Sequence, residues 1–236
     1  MEFDTFLVGG ALRDEFMGIK SKDHDFVVLA PSFDAMREAI LADGFTVHTE
    51  KPEFVTIRAG VPKDHPLREH AKDADFVLAR KDSTTSDGRR PDFVEAGTLM
   101  DDLARRDFTV NALARNAVTG ELHDPFDGLI DIESRILRFV GTPEDRIRED
   151  GLRVLRGFRF MVTKGLKPSS HTRVALVSEL AIEMLGAVSV ERIREELERM
   201  FAHDTLRTLN IFGRVPENMQ RAIFRDGLRL SATLAK

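Results

Sequence analysis

Residues 7–14 read LVGGALRD, and this short stretch decides the fold that we expect for the front half of the chain. The apolar residues 5–8 predict a buried strand, the two glycines end it, and residues 11–17 predict a helix. A glycine pair between a strand and a helix lets backbone N–H groups approach a phosphate closely. The stretch therefore predicts a turn that can bind phosphate.

Two aspartates follow at the start of the next predicted strand, residues 25–29. Asp23 and Asp25 are two positions apart, so in an extended segment both carboxylates emerge on the same face. Paired carboxylates are typical ligands of hard cations such as Mg²⁺. Either signal is weak alone, because most glycine pairs form ordinary turns. Together they favour metal-assisted transfer of a nucleotidyl group.

The rest of the front half predicts a small sheet with few helices. Ser32 is the expected N-cap of one helix and Gly44 its expected C′ residue. Residues 101–116 are predicted to form another helix. Further strands are predicted over residues 45–48, 53–60, 74–80 and 92–96. Because several strands precede a run of helices, we expect an antiparallel or mixed sheet rather than a doubly wound one.

The back half predicts helices. Thr142 and Pro143, followed by acidic residues, are a typical helix start. Helices are predicted over residues 143–162, 171–184, 189–203, 204–212 and 216–229. The predicted fold class is therefore α+β, with a mixed sheet and helices over residues 1–140 and an all-α part over residues 141–236.

Charge is spread unevenly along the chain. The net charge is -5, yet residues 145–236 contain 17 Lys and Arg against 12 Asp and Glu. The remaining residues contain 18 basic against 28 acidic side chains. A basic back half suits contact with a polyanion such as RNA, although unequal solvated surfaces would give the same distribution.

The composition excludes several classes of protein. The chain has no cysteine, which excludes disulfides, a cysteine nucleophile and thiolate metal sites. No apolar run approaches the roughly 18 residues that a membrane helix needs. The first residues lack the basic and apolar regions of a signal peptide. We therefore expect a cytoplasmic protein with no membrane partner.

Two further segments concentrate polar side chains. Residues 105–114 read RRDFTVNALA, which offers donors and acceptors for a sugar or a triphosphate, or forms a helix with a charged first turn. Residues 149–160 read EDGLRVLRGFRF. On one helix, four charged residues would form a drifting stripe: Asp150, Arg153, Arg156 and Arg159. Three arginines exceed what one aspartate can neutralise. We therefore expect some of them to bind another anion or a base edge, which we favour over the alternative that the stripe is only an exposed, salt-bridged helix face.

These segments, in this order, resemble the class II tRNA nucleotidyltransferases, the CCA-adding enzymes, and their bacterial poly(A) polymerase relatives. The family combines Gly-Gly, Arg-Asp and Asp-x-Asp with an Arg-Arg-Asp-Phe-Thr-x-Asn-Ala block and a base-selecting Glu-Asp-x-x-Arg. Three more segments are similar: GRRPDFVE at 88–95, DPFDG at 124–128 and ERIREE at 191–196. The resemblance covers about residues 3–200.

The resemblance implies a polymerase-β-like nucleotidyltransferase head over residues 1–140 and a helical neck with a short body over residues 141–236. It implies template-independent addition of C and A to tRNA 3′ ends from CTP and ATP with Mg²⁺. A poly(A) polymerase, an enzyme that adds only A or only C, and a catalytically impaired RNA-binding relative stay open as alternatives. Because family members are commonly longer, we also expect a homodimer or weak RNA affinity.

The resemblance also assigns roles to single residues. Asp23 and Asp25 resemble the metal-binding carboxylates. The third catalytic acid is expected at Asp75, with Asp73 as the alternative. The residues that the resemblance implies bind the nucleotide are Gly9, Gly10, Arg13, Arg105, Arg106, Asp107, Asn111, Asp150, Arg153, Arg156 and Arg159.

The resemblance makes Asp150 and Arg153 the pair that reads the base. Cytosine and adenine both present an exocyclic amino donor beside a ring-nitrogen acceptor, which a carboxylate and a guanidinium can bind together. Uracil and guanine place a carbonyl oxygen against the carboxylate, so we expect both to be rejected. Residues 82–91 are predicted to form a mobile loop, from their polar, glycine-containing composition.

Overall fold

A computed structural model describes residues 2–21, 23–82, 94–225 and 228 of the chain. It contains a front unit that ends at Ser134 and a rear unit that begins at Arg135. The loop predicted over residues 82–91 lies outside the described residues except for its first residue, which ends a strand.

The front unit is organised by a seven-stranded mixed sheet. The strands described in this unit are β1 (Thr5–Val8), β2 (Asp25–Val28), β3 (Thr46–Lys51), β4 (Thr56–Gly60), β5 (Asp73–Leu78), β6 (Arg80–Asp82), β7 (Val94–Ala96), β8 (Ala114–Asn116) and β9 (Leu122–His123). The sheet has the order β3-β4-β5-β2-β1-β8-β9, and β6 pairs with β7 in a separate ladder. Within the sheet β2 and β5 are parallel, whereas the other pairs are antiparallel. The expectation of a mixed sheet is confirmed.

Short helices and 3₁₀ turns connect these strands. The α-helices described in the front unit are α1 (Gly10–Phe16), α2 (Phe33–Ala42), α3 (Leu99–Ala104) and α4 (Gly128–Glu133). The 3₁₀ turns span Pro52–Phe54, Pro66–Glu69 and Thr109–Asn111. The caps expected for α2 are confirmed, since the Ser32 hydroxyl accepts from the Ala35 N–H and Gly44 has a φ of 80°.

The helix predicted over residues 101–116 is wrong. α3 ends at Ala104, the chain turns through the 3₁₀ turn at Thr109–Asn111, and β8 follows. Asp107 is the physical reason, because its Oδ1 accepts from the Phe108 N–H at 2.8 Å and from Asn111 Nδ2 at 2.9 Å. Such side-chain bonds compete with the helical backbone pattern and favour a turn.

The rear unit is helical apart from one short ladder. Its described helices are α5 (Pro143–Glu149), α6 (Leu152–Thr163), α7 (Ser170–Ala175), α8 (Glu179–Gly186), α9 (Val190–His203), α10 (Thr205–Phe212) and α11 (Glu217–Ile223). The strands β10 (Ile136–Leu137) and β11 (Lys167–Pro168) form a two-residue parallel pair that was not expected. None of the described helices is long and apolar enough to cross a membrane.

Two helices predicted in the rear unit are each divided in two. The helix over residues 143–162 breaks at Asp150, which has extended backbone angles and accepts the Leu152 N–H on its own side chain. The helix over residues 171–184 breaks before Ser178, whose hydroxyl accepts the Ala181 N–H and starts α8. Capping by short polar side chains ends one helix and begins the next.

The core of the rear unit forms where α6 packs along α9. Buried side chains on α6 include Val154 and Leu155, and those on α9 include Ile193 and Leu197. The α5–α6 junction approaches the end of α8 so closely that a Cβ at Gly151 would lie 2.2 Å from the carbonyl oxygen of Met184. A residue without a side chain is therefore required at this junction.

We predict that Gly151→Ala lowers the free energy of unfolding by about 1–3 kcal/mol, as overpacking of a well-packed site does. The matched control is Gly186→Ala, since a Cβ there meets no atom within 4 Å. That control should be neutral or gain about 0.4–1 kcal/mol through the unfolded state. Urea titrations of both variants and the parent measure the difference, and equal stability of the two variants contradicts the prediction.

Candidate active site

The glycine turn after β1 is shaped by one arginine. Gly9 has a φ of 68°, which favours glycine, and a Cβ there would lie only 2.8 Å from Nη1 of Arg106. Gly10 begins α1, and a Cβ at this position would make an ordinary 3.5 Å contact with Arg13 Nη2. The backbone conformation therefore favours glycine at position 9, and a side chain there would have to displace the Arg106 guanidinium.

A buried polar network holds α1 to the 3₁₀ turn before β8. Arg13 is only 7% exposed, and its Nη1 donates to Asn111 Oδ1 at 2.6 Å. Its Nε donates to Asp14 Oδ1 at 2.9 Å. Asn111 Nδ2 in turn donates to Asp107 Oδ1. The structure thus brings the predicted residues Arg13, Asp107 and Asn111 into one network beside the glycine turn.

The sequence interpretation did not include Asp102, whose carboxylate is fully buried. Oδ1 accepts from Nε of Arg105 at 3.1 Å and also from its Nη2. Oδ2 accepts from Nε of Arg106 at 3.2 Å and from its Nη2 at 2.9 Å. Burial alone would raise the pKa of Asp102, but the two guanidinium groups outweigh it and hold this pKa below its usual range. The spacing of three and four residues from Asp102 to Arg105 and Arg106 could have pointed to it, although α3 itself ends at Ala104.

The strand register brings two predicted carboxylates together at one end of the sheet. In the parallel pair β2–β5, Asp25 lies beside Asp75. In the antiparallel pair β1–β2, Asp25 lies opposite Val8, the residue before Gly9. Two carboxylates and the glycine turn therefore occupy the same end of three adjacent strands. Asp23 precedes β2 rather than lying within it, so the strand argument for a shared face with Asp25 does not apply.

The carboxylates at this end of the sheet repel one another. Asp25 keeps an exposed surface at the start of β2, but partial desolvation raises its pKa, and the charges of Asp75 and Asp23 raise it further. The guanidinium groups of Arg106 and Arg58 act in the opposite direction without cancelling the effect. A carboxylate whose pKa is raised by desolvation and by neighbouring carboxylates is frequent in functional sites.

The two candidates for the third acid lie in different surroundings. Asp75 is beside Asp25, and its Oδ2 accepts from Nη1 of Arg58 at 3.0 Å. Asp73 lies opposite Gly60 on β4, and its Oδ1 is 3.0 Å from Nε2 of His48. The position next to Asp25 is therefore occupied by Asp75.

A divalent cation suits the donors present at this end of the sheet. Asp23 and Asp25 offer carboxylate oxygens, which hard cations prefer, and a cation would relieve the repulsion that raises the pKa of Asp25. Among the residues that the structure describes, no group of three or more His, Asp or Glu is placed to hold a metal. Magnesium sites commonly bind the ion through one or two carboxylates and complete its coordination shell with substrate phosphates and water.

The predicted stripe of charged residues in the rear unit does not lie on one helix. Asp150 is at the α5–α6 junction, where its Oδ2 is 2.8 Å from Nη2 of Arg192 on α9. Arg153 is on α6, and its Nη1 donates to the carbonyl oxygen of Arg146 at 3.0 Å and to Oε2 of Glu149 at 2.5 Å. The two residues expected to read the base therefore have different ion-pair partners.

The remaining arginines of the stripe pack on one ring. The guanidinium carbons of Arg156 and Arg159 lie 5.7 Å and 4.4 Å from the centre of the Phe160 ring. Arg159 also pairs with Glu196, a buried residue of α9. Burial lowers the pKa of Arg159, and the Glu196 carboxylate acts against this. The sequence predicted that some of these arginines bind an anion other than Asp150, and for Arg159 that anion is the Glu196 carboxylate of α9.

Comparison with known proteins identifies the family. The sequence profile of one protein family, the poly A polymerase head domain, matches residues 5–138. This chain belongs to the poly A polymerase head domain family. The resemblance expected from the sequence motifs is therefore confirmed.

The most similar relatives include CCA-adding enzymes. The CCA-adding enzyme of Lactiplantibacillus plantarum is 34% identical over 200 residues, which is 84% of this chain and 45% of that protein. The Multifunctional CCA protein of Xanthomonas euvesicatoria is 38% identical over 203 residues, 82% of this chain and 44% of that protein. The chain spans about half the length of the curated relatives it matches.

Solved structures give the same result for the fold. The Bacillus stearothermophilus CCA-adding enzyme in complex with CTP has a TM-score of 0.77 and 29% identity, covering 96% of this chain and 50% of that chain. A tRNA nucleotidyltransferase complexed with a primer tRNA and an incoming ATP analog has a TM-score of 0.75 and 27% identity, covering 98% and 62%. The nucleotidyltransferase fold class predicted from the sequence is confirmed.

We predict that Asp25→Asn does not destabilise the protein in metal-free buffer. Because the pKa of Asp25 is raised by folding, its ionised form costs stability above that pKa, and the variant lacks this cost. The advantage should be full at neutral pH and vanish as the pH falls below 3.8, the ordinary value for aspartate. Thermal unfolding in EDTA across this range measures it. Asp73→Asn, which removes an exposed carboxylate, is the control, and a larger loss of stability in Asp25→Asn contradicts the prediction.

Proposed function

We propose that this chain is a template-independent RNA nucleotidyltransferase that adds C and A to tRNA 3′ ends from CTP and ATP. The observation that carries the proposal is the register that aligns Val8, Asp25 and Asp75 at one end of three adjacent strands, next to the Gly9 turn. A phosphate-binding turn beside convergent carboxylates suits metal-assisted attack on a triphosphate. The similarity to CCA-adding enzymes supports the choice of substrates.

The front unit would hold the metal and the attacking group. A divalent ion, which we propose is Mg²⁺, supplies activation of the RNA 3′ hydroxyl and neutralisation of the triphosphate. Asp23 and Asp25 would hold the ion through their carboxylates. Asp75, fixed by Arg58, would accept a hydrogen bond from the attacking hydroxyl and so orient it.

The glycine turn and its arginines would bind the triphosphate. The Gly9–Gly10 backbone and the guanidinium groups of Arg105 and Arg106 would contact phosphate oxygens. Arg13 contributes positive charge behind the turn. Asp107 and Asn111, held in the same network as Arg13, would border the ribose of the incoming nucleotide.

Base selection is proposed for the rear unit. Asp150 would accept from the exocyclic amino group of cytosine or adenine, and Arg153 would donate to the ring nitrogen. Arg192 and the Leu152 N–H hold the Asp150 carboxylate in a fixed orientation, which supports a recognition role. Arg156 and Arg159, on the same helix as Arg153, would contribute positive charge toward the phosphates.

A second candidate function is poly(A) addition. The matching family model, over residues 5–138, is named for poly A polymerase. Incubation with labelled CTP or ATP on a tRNA that lacks its 3′ end separates the two, because a poly(A) polymerase does not incorporate CTP. Ordered incorporation of C before A supports the first proposal, and incorporation of A alone supports the second.

The proposed partner is tRNA, bound in part by the basic residues 145–236. Binding that depends on phosphate contacts should weaken steeply with salt. The homodimer and the cytoplasmic location expected from the sequence stay predictions, and light scattering tests the first of them. A monomer whose tight tRNA binding is insensitive to salt would contradict the expected assembly and binding mode.

We predict that the carboxylates differ sharply in their effect on incorporation. Asp25→Asn should lose about 10³-fold or more, because it removes charge stabilisation of the transition state. Asp75→Asn should lose about 10²-fold, as expected for an acid–base group. The matched control is Asp73→Asn, because the Asp73 carboxylate contacts His48 and the residue beside Asp25 is Asp75. This variant should stay within about threefold of the parent. Single-turnover CTP incorporation measures all three, and equal losses in Asp73→Asn and Asp75→Asn would exclude Asp75 as the third acid.

We predict that Asp150→Ala relaxes base selection. Arg153 can donate to the carbonyl of uracil or guanine as well, so discrimination should fall by about 1–3 kcal/mol, the worth of one good base contact. The overall rate should fall too, because a loosely held base misplaces the α-phosphate. Incorporation of each of the four nucleotides by the variant and the parent measures this.

The control for this prediction is Asp145→Asn, an exposed carboxylate of α5 that pairs with Arg148. It should keep the selectivity of the parent. If Asp150→Ala retains full preference for CTP and ATP, the base is read elsewhere and Asp150 only joins α6 to α9.

A further inference from the structure

One buried carboxylate holds two adjacent guanidinium groups in the front unit. Each oxygen of Asp102 accepts both Nε and Nη2 of one arginine, Oδ1 from Arg105 and Oδ2 from Arg106. Two N–H groups of each guanidinium are thus held by one charged oxygen, which restricts the orientation of the guanidinium. The Asp102 side chain is 0% exposed, and the side chains of Arg105 and Arg106 are 23% and 19% exposed. The carboxylate that orients both arginines therefore lies on their buried side.

Asp102 lets two neighbouring cations lie side by side. Two cations repel each other, and each would be costly to hold away from water without a partner. The single Asp102 carboxylate accepts from both guanidinium groups. Ordering the arginines beforehand reduces the entropy that anion binding would otherwise cost.

Arg106 connects this group to the glycine turn. While Nε and Nη2 bind Asp102, Nη1 donates to the carbonyl oxygen of Asn111 at 3.2 Å. The same Nη1 lies against Gly9, where a Cβ would be only 2.8 Å away. The orientation set by Asp102 thus determines how Arg106 borders the turn.

Asp102 is not needed for capping α3, because the neighbouring aspartate does this. Asp101 accepts from the Thr98 N–H at 2.9 Å and its own N–H donates to the Thr98 hydroxyl at 3.2 Å, a complete capping box. Two consecutive aspartates therefore have separate tasks. Asp101 begins the helix, and Asp102 binds the arginines.

We propose that Asp102 is a positioning residue that orients Arg105 and Arg106, and places Arg106 against the Gly9–Gly10 turn, for contact with the triphosphate of an incoming nucleotide. The proposal rests on the proposed function for the identity of this ligand. Asp102 touches no reacting atom and acts through the two arginines.

The first test measures the orientation of the arginines without any activity. In Asp102→Asn one acceptor oxygen becomes an NH₂ group, which cannot accept from a guanidinium. We expect the Nε–H signals of Arg105 and Arg106, assigned with Arg→Lys variants, to exchange slowly with solvent in the parent. At least one should exchange at least tenfold faster in Asp102→Asn. Asp101→Asn, the same change one residue earlier, should leave both signals unchanged.

The second test measures equilibrium binding of CTP in the absence of RNA. Asp102→Asn should bind CTP at least tenfold more weakly than the parent, and Asp101→Asn should stay within twofold. Asp102→Glu keeps both acceptor oxygens and should recover part of the affinity. In an Arg106→Lys background, Asp102→Asn should cost less than half the fold-change that it costs in the parent, because the part of its effect that acts through Arg106 is lost. A residue that only stabilises the fold would cost the same in both backgrounds.

The outcomes separate this inference from the proposed function. If folded Asp102→Asn, checked by circular dichroism, binds CTP within twofold of the parent, the inference is wrong even when the parent adds C and A to tRNA. If Asp102→Asn loses CTP while the parent adds no nucleotide to tRNA, the proposed function fails and the inference stands. Should Asp102→Asn not fold, Asp102→Glu takes its place: parent affinity together with displaced Arg105 and Arg106 signals overturns the inference, and weaker binding with the same displacement supports it.

Discussion

The parallel pairing of β2 with β5 is the constraint on which the candidate site depends. It places Asp25 beside Asp75, and the antiparallel pairing with β1 places Asp25 opposite Val8. The residues that follow on β2, Phe26, Val27 and Val28, are buried on both faces of the sheet, and a slip of one residue would move each of them to the opposite face. The cost of repacking both faces fixes the register. The burial of their apolar neighbours therefore holds the like-charged carboxylates of Asp25 and Asp75 close together. The repulsion between the two charges contributes to the raised pKa of Asp25.

Local signals in the sequence predicted the front of the site well. The Gly9–Gly10 turn and the α2 caps each depend on a few consecutive residues, so periodicity and capping rules identify them. The prediction of one helix over residues 101–116 was also based on consecutive residues, and it was wrong. The propensities of this segment are helical, but Asp107 binds the Phe108 N–H and the Asn111 side chain, and these bonds divide the segment into a helix, a turn and a strand. Pattern rules do not include the partners of one short polar side chain.

Long-range pairing explains the error in the rear unit. A step of three residues from Asp150 to Arg159 predicts one stripe on one helix, yet Asp150 has extended backbone angles and divides α5 from α6. Its ion-pair partner Arg192 lies 42 residues away, and Glu196 lies 37 residues beyond Arg159. Partners at that separation are set by the packing of α6 on α9, through residues such as Leu155 and Leu197. The spacing of charges within a single segment carries no information on this packing.

Each unit, taken by itself, uses acidic side chains to fix arginines. Asp102 holds Arg105 and Arg106 in the front unit, and Glu196 holds Arg159 and Arg199 in the rear unit. Both acids are buried, and both meet two guanidinium groups. A long flexible arginine loses much rotamer freedom when it binds an anion, and a buried carboxylate removes that freedom during folding instead. In the proposed function, the acids that pair with Arg105, Arg106 and Arg159 would therefore also be what holds these arginines in place for recognition of a phosphate or a base.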